Sequence, residues 1–105
     1  MASELKQLAQ LNLASAGTAQ ALSASSIEAA VVIFTAKTGN GGLIYIGDSD
    51  VSATEAAIEL AAGETYELRG VEVGAGPASF NLADIYFDGG TTNDDLHVGY
   101  VVRNR

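Results

Sequence analysis

The chain has no cysteine and no tryptophan, one histidine, one methionine and one proline in its 105 residues. Without cysteine there is no disulfide framework and no thiolate metal site, and the redox compartment leaves no mark on the sequence. With one histidine, a Ser-His-Asp triad has only His97 to build on, and a zinc site would need carboxylates for its other ligands. Basic residues are scarce too. Five Lys and Arg stand against thirteen Asp and Glu, for a formal charge of −8. Nucleic-acid binding and adsorption to anionic membranes both need a basic footprint, so neither is expected. The charge favours solubility, or docking on a basic protein surface. No apolar run approaches the roughly 20 residues of a membrane-spanning helix. The opening Met-Ala-Ser-Glu-Leu-Lys lacks the basic-then-apolar order of a secretory signal. A protein that stays in the compartment where it is made is expected.

What is abundant is glycine, at twelve residues. Each would weaken a helix interior by about 1 kcal/mol, and they recur at intervals suited to turns between strands. Residues 30–36, Ala-Val-Val-Ile-Phe-Thr-Ala, are β-branched and apolar on both faces, as in a central strand. Residues 38–42 are rich in glycine and asparagine and suit a tight reversal. Residues 43–47 then read as the return strand of a hairpin. Residues 55–60 read as one helical turn or a short strand, residues 65–71 as a strand and residues 74–77 as a flexible loop. Residues 82–88 form a further strand ending at Gly89-Gly90. Residues 96–102 close the domain, with Leu96, Val98, Tyr100 and Val102 on one face and His97 and Gly99 on the other. Six to eight short strands separated by turns predict an all-β fold, an antiparallel β-sandwich or barrel. Helices alternating with strands are missing, which excludes a parallel α/β sheet.

The first stretch is ambiguous. Leu5, Leu8, Leu11 and Leu13 partly match a helical stripe, whereas Leu11 and Leu13 alternate as in a strand. Residues 14–26 are small and polar. Residues 1–18 are read as an N-terminal arm only partly packed on the domain, with a first edge strand as the alternative. Residues 19–105 are read as a single β domain.

No constellation for catalysis emerges. His97 reads as a surface strand residue. Asp48 and Asp50 share one loop, and Asp88, Asp94 and Asp95 flank another. Loop carboxylates of this kind bind calcium or brace turns through backbone bonds; turn bracing is expected here, with calcium left open. The glycines at 39, 41, 42, 74 and 76 lack the Lys-Ser/Thr and helix of a phosphate loop. Tyr45, Tyr66, Tyr86 and Tyr100 lie in strands and read as packing residues. The expectation is a protein without enzymatic activity or cofactor, acting by binding and assembly.

Several motifs in one order carry a resemblance. Residues 36–47, Ala-Lys-Thr-Gly-Asn-Gly-Gly-Leu-Ile-Tyr-Ile-Gly, resemble the AKxxNxGxIYVG hairpin of small tailed-phage virion proteins. Residues 51–54 resemble the VSAT that follows it. Residues 60–65 are similar to the L-x-PGES turn, with Ala62 where proline is usual. Residues 82–89 resemble LSDIYVDG, and residues 95–100, Asp-Leu-His-Val-Gly-Tyr, resemble the closing strand. The resemblance covers roughly residues 17–102 and points to the cementing, or decoration, proteins of podovirus capsids. It implies a jelly-roll-like sandwich, many copies bound across capsomer boundaries on the capsid exterior of the virion, and synthesis in the host cytoplasm. The implied partners are the major capsid protein and sister copies, as homodimer or homotrimer. No catalytic residues come with the family. A tail or head-fibre component that binds a host glycan or receptor is the alternative. Leu5, Leu8, Leu11 and Leu13 are candidate interface residues, or else cover for the domain's own core. Arg103 and Arg105 form a basic tip and complete the candidate set.

Overall fold

Alternation of apolar and polar residues along the strands is realised directly in burial. The computed structural model describes residues 3–69 and 79–103. In strand β5 (Val31–Ala36), Val32, Phe34 and Ala36 are buried and the residues between them half-exposed. In β11 (Asp95–Arg103), Leu96, Val98 and Tyr100 are buried and His97 is exposed. Period-two patterns of this kind pin one face of a strand to the core, because a slip of one residue would turn every side chain over.

Two antiparallel sheets share that core. In the first, β1 (Ser3–Gln7), β11, β5 and β8 (Thr65–Arg69) lie side by side in that order, and the two-residue β2 (Leu11–Asn12) continues beside β11. In the second, β3 (Gln20–Ala21), β10 (Tyr86–Gly89), β6 (Ile44–Gly47) and β7 (Ile58–Leu60) follow in that order. A short ribbon, β4 (Glu28–Ala29) with β9 (Phe80–Asn81), pairs with neither sheet and packs on the same core through Ala29 and Phe80. Val32, Phe34, Leu96 and Val98 of the first sheet and Ile44, Ile46 and Phe87 of the second fall in one hydrophobic cluster. The architecture is therefore an all-β antiparallel sandwich.

The pairings nest. β1 and β2 pair with β11, β3 with β10, β4 with β9, β5 with β8, and β6 with β7. The chain is thus one long hairpin with its tip at residues 48–57. Rolling that hairpin on itself adds the remaining contacts, β5 with β11 and β6 with β10.

Three expectations change. Residues 30–36 and 43–47 do not form a hairpin. Both edges of β5 are taken, by β11 and β8, so residues 37–43 cross from the first sheet to the second. Residues 82–88 are not one strand. Leu82–Asp84 form a 3-10 turn, because the side chain of Asn81 accepts the N–H of Ala83 and caps it. Strand structure resumes only at Tyr86. The segment expected as an arm takes the alternative form for residues 3–7, an edge strand on β11. Leu13 is closed into the core, at 0% exposure, and its backbone is tied by Leu13 N–H to the Asp94 carbonyl (2.8 Å) and by Asn93 N–H to the Leu13 carbonyl (2.8 Å). Residues 55–60 settle as a strand at 58–60. The loop read at 74–77, the end of the strand read at 65–71, and Arg105 lie outside the described residues.

Candidate functional site

Among the described residues, the buried polar side chains are those of Asp88 and Asp94. Asp94 lies in the loop before β11, facing the crossover 37–43. Its two carboxylate oxygens accept the backbone N–H groups of Gly41 and Gly42, each at 2.9 Å. Glycine is required at position 42, where an added Cβ would sit 2.8 Å from the Thr91 hydroxyl and 3.3 Å from the backbone of Gly90. Next to it, the Asn40 amide donates to the Asp95 carbonyl and accepts the Asp95 N–H, both at 2.9 Å. A side chain there pairs with a strand end as another backbone would. Asp95 also receives the amide of Asn12 at 2.9 Å and lies 3.8 Å from the Lys37 ammonium. Bonds of this kind to charged acceptors are worth about 1.5–3 kcal/mol each, so the acidic loops lock the crossover.

Asp88 does the same for another loop. Its Oδ1 accepts the N–H of Gly17 at 2.8 Å and of Gly89 at 2.8 Å. Asp48 accepts the N–H of Asp50 at 2.9 Å, a side-chain-closed turn. Of the carboxylates weighed as calcium ligands, those of Asp48, Asp88 and Asp94 are thus engaged with backbone donors, and that of Asp95 with the side chains of Asn12 and Lys37. Among the described residues, no three His, Asp or Glu side chains come together as a metal site would need. No buried side-chain nitrogen or oxygen among them lacks a partner. His97 is exposed in mid-strand on the outward side of β11, between Leu96 and Val98, which face the core.

The candidate interface residues separate. Leu13 is in the core. Leu8 and Leu11 are half-buried and pack against it. Leu5 alone of the four is open, at 71% exposure. Arg103 ends β11, with Ser3 as its strand partner.

Sequence reasoning missed the outward face of the first sheet. Leu5, Val101 and Val31 stand in one row across β1, β11 and β5, which ends at Arg69 on β8. The next row runs Gln7, Gly99, Ile33 and Glu67. Val31, Ile33 and Val101 are half-buried apolar residues outside the core cluster. The signal is present in residues 31–36, apolar on both faces, a pattern that marks a central strand and equally leaves an apolar outward face.

The outward face of the second sheet is different. Val51, at 4% exposure, comes from the hairpin tip and packs where a Cβ on Gly47 would be, 3.2 Å from its Cγ2. Tyr45 stands between Asp88 and Glu59 in one row, with Tyr86 diagonal to it. A shallow groove lies beside the crossover, lined by Asn40, Gly41, Gly42, Leu43, Ala61 and Ala62. No family model matches the chain, and no curated protein or solved structure matches it.

Proposed function

We propose that this protein is a non-enzymatic structural component of a tailed-phage virion. In this reading it is a capsid decoration, or cement, protein that binds the outer capsid surface across capsomer boundaries and stabilises the head. The observation that carries the reading is the use made of the buried polar groups. Asp88 and Asp94 are spent on bracing loops, and among the described residues no buried side-chain polar atom is left without a partner and no three His, Asp or Glu side chains gather as a metal site. A frame braced in this way suits a protein whose task is to hold a shape against a partner. The nested pairing order, read as a jelly roll, agrees with the fold that the resemblance implies. Between Lys37 and Arg69 the sequence has no Lys or Arg and six Asp or Glu (Asp48, Asp50, Glu55, Glu59, Glu64 and Glu67). All six are exposed, and the five other than Glu67, which pairs with Arg69, suit docking on a basic protein surface. The partners are the major capsid protein and sister copies, and many weak contacts suffice on a shell that presents many sites.

A second reading, a tail or head-fibre component that binds a host glycan, draws on the diagonal pair Tyr45 and Tyr86 on the outward face of the second sheet. Quantitative mass spectrometry of purified particles separates the two. About one copy per capsid subunit supports decoration. A few copies to a few tens per particle support the tail, and absence from the particle overturns both.

A further inference from the structure

The outward face of the first sheet combines two properties. It is apolar at its centre, and described charges on it are paired. Glu67 is paired with Arg69 at 2.6 Å and Asp95 with Lys37 at 3.8 Å. On a chain with a formal charge of −8, two copies approaching through the acidic hairpin tip would repel each other; through this face they would not.

The two rows on this face are also complementary to each other. One reads Leu5, Val101, Val31, Arg69, and the other Gln7, Gly99, Ile33, Glu67. Consider a two-fold axis that crosses the strands midway between the rows, at the level of Tyr100 and Val32. It sets each row of one copy against the other row of its mate. Val101 then meets the flat position left by Gly99, Val31 meets Ile33, and Arg69 meets Glu67, each contact occurring twice. An isologous interface needs this reciprocal match.

We infer that this face is a self-association interface, on which a second copy of the chain docks about that two-fold axis. The inference rests on the self-association in the reading above, and on no particular location in the particle. Strands about 4.8 Å apart and residues about 3.4 Å apart give the face a plan area on the order of 300 Å². A standard interface buries about 800 Å² per partner. The dimer is therefore weak in free solution and gains strength where copies are held close together.

The test is sedimentation equilibrium of the full chain from micromolar to millimolar concentration. The wild type is expected to dimerise reversibly toward the upper end. Gly99→Lys has room on the monomer, since an added Cβ there meets nothing closer than 3.7 Å. It is expected to weaken the dimer by about tenfold or more. Arg69→Glu should weaken it by placing like charges across the axis. The double variant Arg69→Glu with Glu67→Arg should restore it, because the swapped rows are again complementary. Circular dichroism confirms that each variant is folded. Ala53→Gln, a charge-neutral change at the exposed hairpin tip, should leave the dimer unchanged.

A wild type that stays monomeric throughout overturns the inference. So does a dimer indifferent to Gly99→Lys, or one that the charge swap does not restore. Particle composition is a separate readout. A protein absent from particles but dimeric through this face overturns only the virion reading, and one abundant on particles but monomeric at millimolar concentration overturns only this inference.

Discussion

The outward faces of the two sheets are built from the same kinds of strand and end differently. The second is covered in part by its own chain. The hairpin tip lays Val51 over Gly47, and the loop at residues 14–18 reaches Asp88 through the Gly17 N–H. The first carries Leu5, Val31, Ile33 and Val101 with none of the core cluster beneath their side chains. Where a loop is long enough to fold back, the protein completes its own surface. The first sheet has no such loop among the described residues, and its apolar row is left to be matched from outside.

Paired substitutions test that contrast. The largest difference is expected within the N-terminal segment, which serves both the core and the bare face. Leu13→Ala should lower the unfolding free energy by about 3–5 kcal/mol, and Leu5→Ala by about 0.5 kcal/mol or less, in urea titrations. Comparable losses would mean that Leu5 is packed in solution. Next, Val51→Asp should cost about 3 kcal/mol, since it places a carboxylate under the hairpin tip. Val101→Asp should cost about 1 kcal/mol or less, because its side chain can reach water. Equal costs would remove the distinction between covered and bare. Asp88→Ala strands the Gly17 N–H and should cost about 2 kcal/mol, against about 0.5 kcal/mol for Glu67→Ala. Hydrogen exchange should show faster exchange at Gly17 in the first variant only. The smallest contrast is between two glycines. Gly47→Ala crowds Val51 and should cost about 1 kcal/mol. Gly99→Ala, with ordinary contacts around its Cβ, should be neutral or stabilise by up to about 1 kcal/mol in thermal melts.

Individual strands were legible because their side chains alternate: β5 and β11 were placed to within a residue or two by Val32, Phe34, Val98 and Tyr100. How they pair was not. Residues 38–42 carry every local mark of a hairpin turn, yet the choice between turning back and crossing to the other sheet is made by distant groups. β8 and β11 occupy the edges of β5, and Asp94 holds Gly41 and Gly42. Asn81 gave no warning that its side chain would cap a 3-10 turn inside an apparent strand. The aspartates were legible as turn residues, but their reach across the sequence, from 94 to 41 and from 88 to 17, was not. The bare face was hidden for a simpler reason: an apolar residue covered by the core and one awaiting a partner look identical in a sequence.

The nested hairpin also sets an order of assembly. β6 and β7 are near neighbours in the chain and can meet first, whereas β1 has only β11 to pair with, and Ser3 meets Arg103. During synthesis β1 leaves the ribosome well before β11, the strand it must pair with. Until β11 emerges, Leu13 has no core to enter and β1 trails as an unpaired ribbon. That interval, in which a neighbouring nascent chain could offer its own β11, is the time at which strand exchange between copies would compete with correct closure.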